Sequence, residues 1–381
     1  MSEGRLYKEN VLQRMERTDA RRKMADFQVK MSMPYEFKVK YATIRAREFA
    51  TECDKRDLNY HVSVGGLDSI TLLCFLRSIG IDAPGISVSF LEDVSIQRVH
   101  KELGVECLLP LKRKDGTFWT KAKVIQEFGF PVLSKELAAK IELLQTPSDK
   151  NKTVRHAIIT GETGEYGGNQ KHSRMKMSQK WLEKFGGYEN KTEGTCYGKP
   201  DFKVSSKCCY YLKERPCDLW AKAHNSVPYL GLMASEGGRR AKSLKINGCN
   251  YFGASTIRSA PFAIFQRQDI LQLALDLNVH VPEIYGTIER AKDGTLHTTK
   301  AQRTGCSMCG FGIHLEKRPH RFDRLRERNP NEWERMMFHL VQDAAGNWFG
   351  WGKVLDYIGV DWKNLPGETA RQISLFEGVQ S

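Results

Sequence analysis

Two adjacent glycines separate a short apolar run from a longer one in "NYHVSVGGLDSITLLCFLRSIG", residues 59–80. Gly65 and Gly66 permit a tight turn and let backbone N–H groups come close to a ligand. A helix that begins near Asp68 and Ser69 adds the partial positive charge of its N-terminus, so the turn suits a phosphate group. The spacing fits neither the GxxxxGK[ST] phosphate loop nor the GxGxxG dinucleotide fingerprint. The alternative is a plain strand-to-helix turn capped by Asp68 or Ser69.

Four of the ten cysteines stand in two pairs, Cys208-Cys209 and Cys306-Ser-Met-Cys309. Zinc usually takes two C-x-x-C pairs. Adjacent cysteines reach separate irons of a larger cluster more easily than one small ion, so this arrangement favours a [4Fe–4S] cluster over zinc. Neighbouring lysines and arginines would favour the thiolate forms. The alternative is a set of buried thiols with a coincidental C-x-x-C pair.

The other six cysteines fall into three predicted groups: core thiols Cys53, Cys74 and Cys107, reserve ligands Cys217 and Cys249, and a free thiol, Cys196. The N-terminal stretch has no apolar segment typical of a secretory signal, which predicts a cytoplasmic protein with reduced or metal-bound thiols. No run approaches the roughly 18 apolar residues of a membrane span, so no membrane partner is expected. The formal net charge of +14 indicates either attraction to nucleic acid and nucleotides or a solvated basic surface.

The pattern of apolar residues predicts the elements that position the glycine turn. "YHVSV" reads as a buried strand and "SITLLCFLRSIG" as a helix capped by Gly80. Strands are also predicted in "APGISVSFL" and "VECLLPLK", with the helix "EDVSIQRVHKELG" between them. This alternation predicts an α/β fold with a parallel sheet flanked by helices. "RHAIIT" is predicted as a further strand, and the glycine-rich "GETGEYGG" after it, which begins at Gly161, is expected at the same ligand-binding edge.

Three regions are predicted along the chain: a basic helical N-terminal arm (1–40), a nucleotide-binding α/β domain (41–235), and a mainly helical C-terminal part with the C-x-x-C ligands (236–381). A helix through "YATIRAREFATEC" should turn Ile44, Phe49 and Ala50 toward the core. Helical periodicity returns in "RQDILQLALDLNV" and in "HRFDRLRERNPNEWERMMFHLVQDA".

Four segments follow the turn: "KCCYYLKERP", "LGLMASEGGRR", "PFAIFQRQDILQLALDLNVHVPEIYG" and "RTGCSMCGFG". In this order, over roughly residues 40–320, they resemble phosphoadenosine-phosphosulfate (PAPS) and adenylyl-sulfate reductase-like proteins. These belong to the ATP pyrophosphatase superfamily, whose pyrophosphate-binding loop, S-G-G-x-D-S, the glycine turn also resembles. The chain looks closest to members from phages, plasmids and defence islands, including the ATP pyrophosphatase of DNA phosphorothioation and a type IV CRISPR-associated protein. The segment "FGFPVLSKELAAKI" is similar to one found in that group.

The resemblance implies an adenine nucleotide alpha-hydrolase-like fold, cleavage of ATP to AMP and pyrophosphate with Mg²⁺, and a [4Fe–4S] cluster. The implied phosphate-binding residues are Gly65, Gly66, Asp68 and Ser69, of which Asp68 and Ser69 are catalytic, and the implied cluster ligands are Cys208, Cys209, Cys306 and Cys309. The resemblance assigns further nucleotide contacts to Glu236, Arg239 and Arg240, and the predicted strand and glycine-rich loop add Gly161. Arginine forks suit phosphate or sulfate oxygens, and a solvated arginine pair is the alternative.

Three departures from the family pattern change the expected chemistry. Val64 stands where such loops carry a hydroxyl. The D-T-G after the second strand is replaced by "SVSFLEDVS", with Ser89, Glu92 or Asp93 as stand-ins. No cysteine follows Cys309, so the thiolate that would attack sulfur in a sulfonucleotide reductase is missing.

Three hypotheses follow. The first is an ATP pyrophosphatase acting in nucleic-acid modification or defence, with an adenine nucleotide and a nucleic acid or nucleoprotein as partners. The second is a non-catalytic accessory protein that binds nucleotide or nucleic acid on a reductase scaffold. The third is a sulfonucleotide reductase that uses an external thiol.

Overall fold

The computed structural model describes residues 17–162, 175–187, 189–190 and 195–363, with the backbone alone at a few positions that include 238–240. Within them the chain forms two compact units. Unit 1 consists of the described residues up to Leu109 together with Cys217–Thr304. Unit 2 consists of Pro110–Pro216 together with the described residues from Gly305 onward. The boundaries at residues 40 and 235 inferred from the sequence stay predictions.

Unit 1 is built on a six-stranded sheet. Its strands in chain order are β1 (Asn59–Ser63), β2 (Gly85–Ser87), β3 (Glu106–Cys107), β4 (Ser226–Tyr229), β5 (Asn250–Phe252) and β6 (Ile257–Ser259). Their spatial order is β3-β2-β1-β4-β6-β5, and every neighbouring pair is parallel except β5 with β6. The predicted α/β class with a mostly parallel sheet is therefore confirmed, while the specific ATP pyrophosphatase-type fold stays a prediction.

Helices flank this sheet and carry the chain between its strands. The α-helices that lie wholly in unit 1 are Arg17–Met31, Tyr35–Lys55, Leu67–Ser78, Val94–Glu102, Gly238–Asn247 and Arg267–Asp276. Helix Leu67–Ser78 connects β1 to β2, and helix Val94–Glu102 connects β2 to β3. Strands β2 and β3 therefore lie on one side of β1. After passing through unit 2 the chain returns along helix Arg215–Ala223 and places β4 on the other side of β1. The strand order therefore reverses between β1 and β4, which is where ligands bind in sheets of this kind.

The N-terminal helices confirm part of the predicted core. Helix Tyr35–Lys55 buries Ala42, Ala46, Phe49 and Cys53, which lie three or four residues apart on one helical face. Ile44 falls on another face and is 51% exposed, so its predicted core position is wrong.

Two further predictions in unit 1 need correction. The second strand is shorter than predicted, because Ser89–Leu91 forms a 3₁₀ turn. Cys107 is exposed at the end of β3, on the sheet edge, and is not a core thiol. In the described structure its strand pairs with β2 and lies at the edge of the sheet.

Unit 2 is mainly helical. Its described α-helices are Lys121–Phe128, Lys135–Gln145, Lys152–Thr160, Gln179–Phe185, Lys207–Cys209, Arg321–Arg328, Pro330–Phe338 and Trp351–Ile358. Its described two-stranded pairs are Val132–Leu133 with Gly310–Phe311, Glu189–Asn190 with Thr195–Cys196, and Val341–Gln342 with Trp348–Phe349. The core is aromatic, with Trp351 packed edge-on against Phe130 and Phe322.

The strand predicted in "RHAIIT" is wrong, because these residues form the last part of helix Lys152–Thr160. Ala157 and Ile158 are buried on one helical face, and a six-residue apolar run does not distinguish a buried strand from a buried helix. None of the helices in the described ranges combines the length and apolar character that a membrane crossing needs.

Candidate nucleotide site and cysteine site

The glycine turn lies at the carboxyl end of β1, beside the point where the strand order reverses. Helix Leu67–Ser78 begins directly after it, with Gly66 as N-cap. Gly66 has an extended backbone (φ −78°, ψ −166°) that any residue adopts, so its backbone does not require glycine. Its lack of a side chain does matter, since a Cβ there would collide with the Tyr285 hydroxyl and lie 3.2 Å from Thr304 Oγ1.

The Ser69 hydroxyl stabilises the glycine turn with two hydrogen bonds. The Gly65 N–H donates to Ser69 Oγ at 2.7 Å, and the same hydroxyl donates to Gly66 O at 3.0 Å. The Leu67 N–H donates to the Tyr285 hydroxyl at 3.1 Å. The amides at Gly65 and Leu67 are thus both held by hydroxyl oxygens, which shows that this part of the turn presents hydrogen-bond donors to oxygen atoms.

Asp68 forms an ion pair with Arg267, the first residue of helix Arg267–Asp276. Both side chains are about a quarter exposed. Arg267 also donates from Nη2 to Gln302 O at 3.1 Å. Its Nε is buried and has no hydrogen-bond partner among the described residues. The predicted catalytic carboxylate therefore already has a cationic neighbour.

The segment after β2 also reaches the turn. His100 Nε2 lies 2.7 Å from Gly65 O, and His100 Nδ1 lies 2.8 Å from Ser89 Oγ. Because a carbonyl oxygen only accepts, Nε2 carries a proton, and in the neutral imidazole Nδ1 accepts from the Ser89 hydroxyl. Ser89, one of the predicted replacements for the D-T-G motif, therefore positions His100, which binds the backbone of the glycine turn.

Glu92 and Asp93 differ in their placement. Asp93 caps helix Val94–Glu102 by accepting from the Ser95 N–H at 3.0 Å and the Ser95 hydroxyl at 2.7 Å. Glu92 is buried, and its Oε1 lies 4.0 Å from where a Cβ on Gly65 would stand. Of the two carboxylates, Glu92 is the one next to the turn.

The segment after β4 packs against the turn as well. A Cβ on Gly231 would lie 3.1 Å from both the N and the Cα of Ser69, so the two loops touch through their backbones. Glu236 follows in a 3₁₀ turn and forms an ion pair with Arg303 at 3.4 Å. Arg239 and Arg240 lie in helix Gly238–Asn247, and their side chains are outside the described part of the structure.

Gly161 is not part of this arrangement of loops after sheet strands. It ends helix Lys152–Thr160 in unit 2 with φ +83°, a left-handed conformation that favours glycine at a helix end. The predicted strand before it is absent, so the reason for assigning it to the nucleotide is wrong. Of the glycine-rich "GETGEYGG", residues 163–168 lie outside the described residues.

The four paired cysteines all belong to unit 2. Cys208 and Cys209 lie in helix Lys207–Cys209, which runs directly into a π-helical turn, Tyr210–Glu214. Such turns occur often at functional sites. Cys306–Cys309 forms a tight turn in which the Cys309 N–H donates to Cys306 O at 3.1 Å.

The thiols act on one another electrostatically. Burial raises the pKa of Cys208, and the thiols of Cys209, Cys306 and Cys309 raise it further. Burial likewise raises the pKa of Cys209 to about 11, with Cys309 and Cys306 contributing. The two pairs, almost a hundred residues apart in the chain, are thus within range of one another's charge in unit 2.

Cations near these thiols favour the anionic form, but burial outweighs them, so the pKa of Cys208, Cys209 and Cys309 is raised on balance. Lys121 counteracts the raised pKa of Cys208, and Lys135 does the same at Cys209. Burial raises the pKa of Cys309, whereas the Phe311 N–H and the Arg321 guanidinium lower it. Within the described residues, however, no group of three or more His, Cys, Asp or Glu side chains is arranged to hold a metal ion. The donor set fits the predicted cluster in its chemistry, and the cluster stays a prediction.

Fold and site together define an α/β protein with a mostly parallel sheet and polar groups gathered around a glycine turn at its carboxyl edge. Compared with known proteins, the chain matches no protein-family model and no curated protein.

Sequence reasoning missed Arg267, Tyr285, Thr304 and His100. The sequence does contain a signal for Arg267, because this residue begins the predicted helix "RQDILQLALDLNV", which follows a strand of the sheet. The sequence contains no comparable signal for Tyr285 and Thr304. They reach the turn from segments more than two hundred residues away in the chain, and only the tertiary fold brings them there.

Proposed function

We propose that this protein binds an adenine nucleotide at the glycine turn and cleaves ATP to AMP and pyrophosphate. The observation that carries the proposal is the position of Gly65–Ser69: a glycine turn followed by a helix N-terminus, at the carboxyl end of the central parallel strand, where the strand order reverses. Phosphates bind at such places because backbone N–H groups and the helix dipole both face the ligand.

The chain's own groups have distinct parts in this proposal. The amides of the turn and the first helical turn would bind phosphate oxygens, those of Gly65 and Leu67 in exchange for the Ser69 and Tyr285 hydroxyls that hold them in the free protein. Asp68 is the carboxylate that would help to hold Mg²⁺, with Glu92 near enough to the turn to assist. Bound Mg²⁺ supplies stabilisation of the negative charge that develops on the leaving pyrophosphate.

The test is direct. Purified protein is incubated with α-labelled ATP and Mg²⁺, and AMP and pyrophosphate are quantified, with and without nucleic acid. Asp68→Asn should reduce the rate by at least about a hundredfold if the carboxylate holds the catalytic metal. The matched control is Asp218→Asn, which removes an exposed aspartate on helix Arg215–Ala223. Absence of AMP from the wild-type protein under all conditions would refute hydrolysis.

We further propose that Cys208, Cys209, Cys306 and Cys309 hold a [4Fe–4S] cluster. Two observations support it: all four cysteines belong to unit 2, and Cys306 and Cys309 are joined in a tight turn by a backbone hydrogen bond of 3.1 Å. A cluster of this kind would contribute either structural stability or electron transfer. Iron and sulfide analysis of anaerobically purified protein tests the proposal independently of nucleotide chemistry.

A second candidate function is nucleotide binding without hydrolysis. The pairing of Asp68 with Arg267 favours it, because a carboxylate neutralised by a guanidinium is a poorer metal ligand. This candidate predicts that calorimetry detects ATP binding while no AMP forms, and that Asp68→Asn leaves the binding unchanged.

Nucleic acid is proposed as the macromolecular partner because of the net charge of +14. Fluorescence anisotropy with single- and double-stranded DNA and RNA should show binding that weakens steeply as salt rises. No binding at low salt would refute this part.

A further inference from the structure

The glycine turn is occupied by groups of the chain itself. Ser69 Oγ accepts from the Gly65 N–H, and the Tyr285 hydroxyl accepts from the Leu67 N–H. Arg267 stands at the Asp68 carboxylate. In the proposed nucleotide site, these hydroxyl oxygens stand where phosphate oxygens would bind, and the guanidinium stands where a metal ion would bind.

Arg267 has unused hydrogen-bonding capacity. Its two terminal nitrogens bind Asp68 and Gln302 O, whereas the buried Nε has no partner among the described residues. A guanidinium carries five N–H donors in a planar fork that matches phosphate oxygens. Arg267 also opens a helix that follows β6, so it lies at the same edge of the sheet as the turn.

The ion pair sets up a competition. Mg²⁺ and the Arg267 guanidinium are both cations, and both require the Asp68 carboxylate. A free metal ion must displace the guanidinium and leave its charge without a partner, which is costly in a partly buried site. A metal ion that arrives with a polyphosphate brings the anion that the displaced guanidinium needs.

We propose that Arg267 is an exchangeable partner of Asp68 that couples metal binding to nucleotide binding. Without nucleotide, Arg267 holds Asp68 and closes the carboxylate to free divalent cations. When a metal–nucleoside triphosphate binds, Asp68 releases Arg267 and binds the metal ion, and the guanidinium binds a phosphate oxygen. This inference rests on the proposed function, since it takes the turn to be a nucleotide site.

The exchange gives one variant two opposite effects. Arg267→Met frees Asp68 and removes the phosphate ligand. In the absence of nucleotide, its affinity for a divalent cation should rise about tenfold, since one competing charge-assisted contact is lost. Its affinity for Mg²⁺–ATP should fall about tenfold or more, because the charge-assisted contact between Arg267 and a phosphate oxygen is lost. Arg267→Lys keeps the charge but not the fork, and should keep free cations out while binding Mg²⁺–ATP less tightly.

The experiment measures Mn²⁺ binding to the full chain by the loss of the free-ion electron paramagnetic resonance signal, and Mg²⁺–ATP binding by calorimetry. The matched control is Arg290→Met, which removes an arginine of unit 1 that binds Gln272 and Gly294 O. Hydrogen exchange of β1 and helix Leu67–Ser78 verifies that each variant is folded, and the lysine variant provides the comparison if the methionine variant is not.

The results separate the two proposals. If the wild-type protein does not bind Mg²⁺–ATP, both fail. If it binds Mg²⁺–ATP and Arg267→Met does so equally well, the exchange is refuted and the nucleotide site stands. Weaker nucleotide binding with no gain in Mn²⁺ affinity would assign Arg267 a structural role and also overturn the exchange. Only opposite shifts in the two affinities support it.

Discussion

Replacing Gly66 with alanine tests whether the Tyr285 hydroxyl sits over the glycine turn. The backbone of Gly66 tolerates alanine, so any effect must come from the added methyl group. That group would collide with the Tyr285 hydroxyl oxygen, whereas the ring carbon Cζ behind it would be at an ordinary 3.6 Å. The hydroxyl must therefore move by roughly 1 Å to reach a normal contact distance. Such a move breaks its hydrogen bonds to the Leu67 N–H (3.1 Å) and to Thr304 Oγ1 (2.7 Å).

The magnitude follows from these contacts. Overpacking and the lost hydrogen bonds should make Gly66→Ala cost about 1–3 kcal/mol of unfolding free energy. Tyr285→Phe loses the same two hydrogen bonds without a collision and should cost about 1–2 kcal/mol. In the double variant the collision with the hydroxyl is gone and the bonds are lost only once. Its cost should therefore be smaller than the sum of the single costs by about 1–2 kcal/mol.

The assay is hydrogen exchange of the amides in β1 and helix Leu67–Ser78, because it reports on unit 1 even if the two units unfold separately. Gly65→Ala is the matched control, since a Cβ there meets nothing closer than Ser69 Oγ at 3.8 Å. It should change the exchange free energies by less than about 1 kcal/mol. Additive costs in the double variant would show that Tyr285 and Gly66 do not interact, and the geometry of the turn described above would then be wrong.

Three other predictions concern the cluster, one histidine and one glycine. Anaerobically purified protein should be brown with about four irons per chain, and Cys306→Ser should lose them, whereas a colourless protein with one zinc would contradict the cluster. Burial lowers the pKa of His61 to about 4, so below pH about 6.5 the unfolded chain takes up a proton that the folded chain does not. Stability should fall by about 3 kcal/mol between pH 6.5 and 4 from this group. In urea titrations over that range His61→Gln should show a correspondingly shallower fall, and an unchanged slope would disprove the assignment. Gly129 has φ +118°, and a Cβ there would lie 2.6 Å from the Val204 backbone N. Gly129→Ala should therefore destabilise unit 2 by at least about 2 kcal/mol more than Gly116→Ala, whose site also has positive φ but open space, as measured by hydrogen exchange in unit 2.

The sequence predicted the first half of the sheet because local patterns sufficed there. "YHVSV" forms β1, the following helix ends before Gly80 with φ +81°, and the helix in "EDVSIQRVHKELG" forms as Val94–Glu102. These segments combine apolar periodicity with glycine or aspartate at their ends, so propensity, burial and capping all indicate the same structure.

Prediction failed where the decisive information was tertiary. "RHAIIT" contains β-branched residues, but its neighbours in unit 2 bury one helical face. The site shows the same limit. Gly65 to Ser69 could be found from two glycines and a helix start, whereas Arg267, Tyr285 and Thr304 become site residues only because distant segments fold onto the turn.

Val64 illustrates how the structure changes the meaning of a sequence departure. The residue is 7% exposed and packs in the core of unit 1, where its Cγ2 would lie 3.2 Å from a Cβ on Gly85. Its N–H is already bound to Ile86 O at 2.9 Å. A side chain at this position points into the core, so a hydroxyl there would not reach a ligand on the turn in this conformation. The missing hydroxyl is therefore weak evidence against a phosphate site. Under the proposed function, the ion pair between Asp68 and Arg267 would have to open before Asp68 could bind a metal ion. The state of this ion pair therefore distinguishes the proposed enzyme from a binding protein more sharply than Val64 does.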